Sequence, residues 1–482
     1  MGDSPDLPPL SAALYQAGCR SYAGFHTPGH GRGHAIYPPL RAWWGEGVFR
    51  ADLPELPGLD NLLAPAGRIA EAQAQAAQVF GADQTWFLVN GATAGLLAAV
   101  LAVCRPGDRL LLPRNVHQAV LHALILADVW PVFLAPCRAA GLWGGPDPTA
   151  VTDHLAADPT IRAVLLVSPT YEGVCAEVDT LAAIAHAAGR PVIVDEAHGA
   201  HLGFHPALPL PALSQGADLV VQASHKTLPA LTQAAMLHCR GVRIDPQRVS
   251  QALRLIQTSS PSYLLLASLE TATAQMATAG RHLLEQTLAA AAWVRAQVEK
   301  LPGLSVVQPP CGRPGFAAQD PTRLTVRVAD LGLTGFAADE ILHGELGVTA
   351  ELPGYEDLTF LLSVGHTTAD VAQLVAALQT LSRRHWGAVP LPVAPLWPGL
   401  SERVCSPRQA FFAPCESIPL AAAAGRVSAA TVCPYPPGIP LLIPGERISP
   451  EALTYLESSV RAGGAVVGLS VQDPPEVRVL YG

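Results

Sequence analysis

Short apolar runs alternate with helical patterns through the first three hundred residues. The runs at 86–89, 110–112, 132–134, 163–167, 192–194, 219–221 and 234–237 are apolar throughout. Strands read this way when both faces of their sheet are covered. Helical patterns fall between them at 93–104, 116–126 and 181–188, and a helix over 68–80, stopped by Gly81, precedes the first strand. This order predicts an α/β domain on a mainly parallel sheet. A long helical stretch, 262–300, ends at Leu301-Pro302-Gly303. Strand patterns at 323–328 and 359–364 then flank a helix at 337–344, which predicts a smaller α+β domain. A proline-rich hinge at 390–398 introduces a last segment with its own turns and strands. The expected organisation is an N-terminal arm (1–67), a large α/β domain (68–300), a small α+β domain (301–389) and a C-terminal domain (390–482).

The 482 residues are 50% hydrophobic and 14% charged, which is too apolar for disorder and enough for two or three packed domains. A net charge of -9 and no basic run beyond Arg383-Arg384 offer nothing to nucleic acid or to an anionic membrane. No apolar stretch reaches the roughly 20 residues of a spanning helix. Acids at Asp3 and Asp6 stand where a secretory signal is basic, so a cytoplasmic location is expected. Nine cysteines without paired spacing agree with a reducing compartment and argue against structural zinc. One count matters more. Of the 30 basic residues only Lys226 and Lys300 are lysines. A lysine amine can be deprotonated and attack a carbonyl, whereas a guanidinium cannot, so a retained lysine asks for a chemical reason. Lys300, at a helix end before Pro302, has one in the helix dipole. Lys226 does not.

Ligands of open α/β sheets bind beyond the carboxyl ends of the strands, so the residues found there come first. Asn90-Gly91-Ala92-Thr93-Ala94-Gly95 turns from a strand into a helix; its free amides and the Thr93 hydroxyl suit a phosphate or a plain helix cap. Asp195-Glu196-Ala197-His198-Gly199-Ala200-His201 puts a carboxylate at the end of a buried strand, where it needs a cation or several donors. A metal on Asp195, His198 and His201 is a weaker reading of the same residues. Gln222-Ala223-Ser224-His225-Lys226-Thr227 brings Lys226 to another strand end. A Schiff-base lysine, a carboxylate for a pyridinium nitrogen and a helix N-terminus for a phosphate are together the fixtures of pyridoxal phosphate. His117 is placed either to stack on a cofactor ring or simply to open a helix. Thr170, in Ser168-Pro169-Thr170-Tyr171-Glu172-Gly173, suits a ring substituent or a turn.

These stretches occur together with Phe25-His26-Thr27-Pro28-Gly29-His30, Glu55-Leu56-Pro57-Gly58-Leu59-Asp60, Arg114-Asn115-Val116-His117, Pro436-Pro437-Gly438-Ile439-Pro440 and Pro444-Gly445-Glu446. On them the chain resembles, over nearly its full length, the fold-type I Orn/Lys/Arg decarboxylases, especially the shorter bacterial members. The resemblance implies an aspartate aminotransferase-like α/β large domain with smaller α+β and C-terminal domains, and pyridoxal 5'-phosphate as cofactor. It implies that Lys226 forms the internal aldimine, Asp195 pairs with the pyridinium nitrogen and His117 stacks on the ring. Ala92, Thr93, Ser224 and His225 would hold the phosphate, and Ala197 and His198 the other face of the ring. Glu351 would receive the distal cation of the substrate, with Glu446 as a second candidate. The implied reaction is decarboxylation of arginine, lysine or ornithine to the amine of polyamine metabolism, with Lys226 or a neighbouring histidine, His198 or His225, returning a proton. The long N-terminal extension of the larger acid-induced members is missing, so a biosynthetic homodimer is expected. Gly31-Arg32, Gln118 and Asp60-Asn61 depart from the family pattern, and they bear on the entrance and the substrate end rather than on cofactor contacts. Two other readings share the pocket. One is an aminotransferase or aldolase that grips the α-carboxylate with Arg323 or Arg327, which otherwise alternate along a strand towards solvent. The other is a non-catalytic pyridoxal-phosphate-binding protein.

Overall fold

Seven of the apolar runs are strands: β1 (Gln84–Leu88), β2 (Arg109–Pro113), β3 (Trp130–Leu134), β4 (Ile161–Val167), β5 (Val192–Asp195), β6 (Leu219–Gln222) and β7 (Ala235–Cys239). They come from a computed structural model that describes residues 6–392, 396–435, 438–470, 472 and 474–481. Residues 1–5, 393–395 of the hinge and the Pro436-Pro437 pair of the proline motif lie outside the described residues. The strands form one sheet in the order β1-β7-β6-β5-β4-β2-β3. Leu110, Leu111, Leu112, Ile193, Val220 and Val221 have no exposure at all. Burying each such side chain contributes about 1.5–3 kcal/mol, which is why these runs carry no polar alternation. β2 runs parallel to β3 and β4, as expected. β7 runs antiparallel to both β1 and β6. An apolar run reports that both faces are covered and says nothing about direction.

The helices that matter for the site are α1 (Arg68–Phe80), α2 (Gly91–Val103), α3 (Gln118–Ala127), α4 (Tyr263–Val298), α5 (Gly335–Leu346) and α6 (Thr368–His385). α1 has the expected bounds and ends on Gly81 at φ 72, a left-handed cap that favours glycine. α3 starts two residues late because His117 is its cap: Nδ1 accepts from Ala119 N at 3.1 Å. α6 was not anticipated, although Thr367 and Asp370 close a reciprocal capping box at its start. α2 needs a small residue at position 95. A Cβ on Gly95 would lie 2.7 Å from Leu88 Cδ1 and 2.8 Å from Val221 Cγ1.

The chain divides into two compact units, Met1–Ala102 with Asp195–Leu283 and Val103–Val194 with Leu284–Gly482. In the first, Leu10, Leu53, Ile69, Phe87, Met236 and Tyr263 belong to one apolar cluster. The segment before α1 is tied down by Asp60, a non-glycine residue at φ 79. Its carboxylate accepts from the amides of Asn61, Ala66, Gly67, Ile69 and Ala70. Burial alone would raise this carboxyl, but the amide donors outweigh it and hold it below its ordinary value. In the second unit, β8 (Ser305–Val306), β9 (Arg323–Arg327), β10 (Leu352–Pro353) and β11 (Asp357–Leu361) make an antiparallel sheet in the order β8-β9-β11-β10. Leu324, Val326, Leu342, Leu358 and Leu378 pack on it without exposure. A separate cluster around Leu442, Ile448, Leu456 and Val477 serves the C-terminal segment. Among the described residues no helix is long and apolar enough to cross a membrane.

Candidate active site

β5 ends on Asp195, and β6 leads through Ala223 into a single helical turn, Ser224–Thr227, that carries Lys226. Lys226 Nζ lies 2.9 Å from His198 Nε2, so amine and imidazole share a proton position. Asp195 is 4% exposed, and its Oδ1 accepts from Ala197 N at 3.1 Å. Burial pushes its carboxyl up, while the Lys226 charge and the Ala197 amide draw it back. His225 is held by its Nδ1, which donates to Ala234 O at 3.0 Å. Ser224 Oγ and Thr227 Oγ1, both buried, have no hydrogen-bond partner among the described residues. A buried hydroxyl without a partner is costly, so both are available to a hydrogen-bonding group. α2 opens at Gly91 with Ala92 half-buried and Thr93 exposed, and the first-turn amides of a 13-residue helix suit an anion. This unit thus brings together the lysine, the buried acid, the imidazole and the Ser224 hydroxyl expected from the sequence, and adds Thr227, which the sequence did not single out. By contrast Lys300 is exposed and only 3.5 Å from Gln297 Oε1.

One residue was passed over by the sequence reading. Glu196 is 1% exposed, and its oxygens accept from Ala212 N and Gln222 Nε2, each at 2.7 Å. Gln222 Oε1 is 3.1 Å from His238 Nε2, and His238 Nδ1 is 2.8 Å from Thr85 Oγ1. The available signal was a glutamine and a histidine set into strands that are otherwise apolar. Burial drives Glu196 up to about 8 and His238 down to about 3.

In the second unit, His117 caps α3 as described, and Thr170 Oγ1 accepts from Val174 N at 3.2 Å while also bonding Glu172. The Thr170 hydroxyl therefore serves its own turn. Glu446 is 2% exposed and 3.1 Å from Arg114 Nη2, and Arg114 also donates to the carbonyls of Pro440 and Leu441. Burial raises the Glu446 carboxyl, and Arg114 and Arg403 oppose it. Its charge is met inside the chain by Arg114. Glu351 is exposed and lines a cavity of about 450 Å³ with Val348, Phe360, Leu362, His366 and Asp370. Arg323 does not face solvent: it has no exposure and lies among Asp320, Glu351 and Glu172, whereas Arg327 is partly exposed and paired with Glu356. Strand alternation misled here because β9 is covered on both faces, with Arg323, Leu324, Thr325 and Val326 all buried. Among the described residues no group of three or more His, Cys, Asp or Glu is arranged to hold a metal ion.

Comparison with known proteins extends this geometry. The description Orn/Lys/Arg decarboxylase, major domain, matches residues 8–313, and its C-terminal domain matches residues 398–471. An arginine decarboxylase of Bacillus subtilis is 36% identical over 465 residues, 95% of each chain. A lysine decarboxylase structure from Pseudomonas aeruginosa superposes with a TM-score of 0.85 at 24% identity, covering 98% of this chain and 80% of that one. One from Francisella novicida gives 0.84 at 22%, covering 99% and 82%. These two establish the fold, an α/β architecture with a mixed, mostly parallel sheet.

Proposed function

The chain belongs to the Orn/Lys/Arg decarboxylase family, and from that membership we propose that it is a carboxy-lyase that uses pyridoxal phosphate to decarboxylate a basic L-amino acid, arginine being the first to test. The observation that carries the reading is the Lys226 amine 2.9 Å from His198 beside the buried Asp195. The residues suit the cofactor. Lys226 would hold its aldehyde carbon, Asp195 its ring nitrogen, and Ala197 and His198 would bound the ring. Ser224, whose hydroxyl lacks a partner, would take its phosphate with Thr93, Ala92, His225 and the amides that open α2. When bound, the group supplies a sink for the electron pair left behind as carbon dioxide departs.

The chain's own groups do the rest. Burial raises the Asp195 carboxyl and the Lys226 charge draws it back; a cation brought beside it would act in the same sense as Lys226 and favour the ionised acid against a protonated nitrogen. Lys226 and His198 pass a proton between Nζ and Nε2, and either returns it to the α carbon. Glu351 is favoured over Glu446 for the substrate's distal cation: it is exposed and lines an open cavity that also holds Asp370, while Glu446 is buried and paired with Arg114. His117 is assigned the ring face that the family resemblance gives it. The exposed Phe25, Tyr37 and Trp43 of the arm support self-association, in line with a homodimer. The nine cysteines form no disulfide, in keeping with a cytoplasmic enzyme of amine metabolism.

The test is carbon dioxide release from arginine, lysine and ornithine by the protein given pyridoxal phosphate, with Lys226→Ala as control. Release from at least one of the three, lost in the variant by about 10³-fold or more, is expected. Release that survives in Lys226→Ala, or none from any of the three, refutes the assignment.

A further inference from the structure

Asp195 and Glu196 are adjacent carboxyls at the end of β5, and strand alternation sends them to opposite faces. One lies near Lys226. The other begins a polar chain, Glu196–Gln222–His238–Thr85, that crosses four neighbouring strands, β5, β6, β7 and β1. Thr85 and His238 are direct partners in the β1–β7 ladder, and His238 and Gln222 are fully or almost fully buried. Strands made of Val, Leu and Met gain nothing from such a chain by packing alone, since each polar group costs free energy unless it is bonded. It has a position to hold.

Resting on the cofactor reading above, we propose that Glu196 is a positioning residue for Asp195: by joining Ala212 N to Gln222, it fixes the end of β5 and with it the acid meant for the ring nitrogen. Glu196 N also donates to Val221 O at 2.9 Å, so backbone and side chain both tie this residue to β6. The chain is consistent in two proton arrangements. With Glu196 ionised, Gln222 donates to it, His238 donates from Nε2 and Thr85 donates to Nδ1. With Glu196 protonated, the Gln222 amide turns over, His238 carries its proton on Nδ1 and donates to Thr85. The three side-chain contacts of the chain are kept in both. The function of Glu196 is then the hydrogen bond itself, and a glutamine there can still accept from Ala212 N and donate to Gln222.

The experiment compares wild type, Glu196→Gln and Glu196→Ala by their dissociation constants for pyridoxal phosphate and by the pH titration of the bound cofactor's absorbance. Glu196→Ala should weaken cofactor binding by about tenfold or more, as loss of a buried polar partner does, and should shift the absorbance midpoint, while Glu196→Gln restores both. A merely structural residue would lower the melting temperature and leave the midpoint in place. If Glu196→Ala does not fold, Thr85→Val at the far end of the chain is read in the same way, with a smaller shift expected. A wild type that binds the cofactor while Glu196→Ala, or Thr85→Val in its stead, matches it in both readouts overturns this inference alone, as does failure of Glu196→Gln to restore them. A wild type that binds no pyridoxal phosphate overturns the proposed function and this inference together.

Discussion

Glu446→Gln tests whether this acid belongs to the fold or to the substrate. Glu446 and Arg114 are each 2% exposed and 3.1 Å apart. At an effective dielectric constant of about 20, unit charges at that separation attract by about 5 kcal/mol. Desolvation of both groups offsets most of this, so the pair adds little compared with an apolar pair of the same shape. Removing one half is different. Arg114 keeps its bonds to the Pro440 and Leu441 carbonyls, but its charge stays buried without a counter-charge, at a cost of roughly 3–5 kcal/mol. Glutamine keeps an acceptor at the site, which puts Glu446→Gln near the lower end. The assay is urea denaturation of Glu446→Gln, Arg114→Met and the double variant, together with KM for the amino acid. We expect a loss of about 3 kcal/mol in Glu446→Gln, and a double variant at least about 1 kcal/mol more stable than the summed losses predict. Strictly additive losses, or a Glu446→Gln protein of wild-type stability with a raised KM, would refute the structural assignment and return Glu446 to the substrate.

Two further outcomes follow from packing and titration. Gly95→Ala places a methyl group 2.7 Å from Leu88 Cδ1 and 2.8 Å from Val221 Cγ1, an overpacking cost of about 1–3 kcal/mol, against a gain of up to about 1 kcal/mol in helix propensity. A lower melting temperature is expected, and an unchanged or higher one would show that α2 slides freely on β1 and β6. Burial first, then Glu172 and Glu356, push Asp357 up to about 7, with Arg327 opposing. Against an unfolded value of about 3.9, the folded state holds this proton between the two values. Its stabilising effect is therefore complete below about pH 4 and declines as pH rises through about 7, by at most about 1.4 kcal/mol per pH unit. Asp357→Asn should raise the urea midpoint relative to wild type by clearly more at pH 8 than at pH 5; an equal effect at both pH values would contradict the shift.

The strands were legible because Leu110–Leu112 or Leu219–Val221 can be nothing but a buried run, and α1 because Gly81 ends it. The scarcity of lysine singled out Lys226 before any geometry was known. What the sequence withheld depended on the partner across the fold. Whether Arg323 points to water or into the interior depends on what covers β9, and the sequence of that strand does not contain the cover. Glu446 reads as an acid in a turn until Arg114, more than three hundred positions away, is beside it. Glu196 stood in the same motif as Asp195, yet its task appears only when Gln222, His238 and Thr85 line up across four strands.

A single carboxylate gathers five amides at Asp60, spread from residue 61 to residue 70. Bonds that converge on one carboxylate are all lost together if that group leaves. The loop and the first turn of α1 are therefore knotted rather than laced, and unravelling that starts at the chain's beginning should halt at this knot until the whole of it lets go.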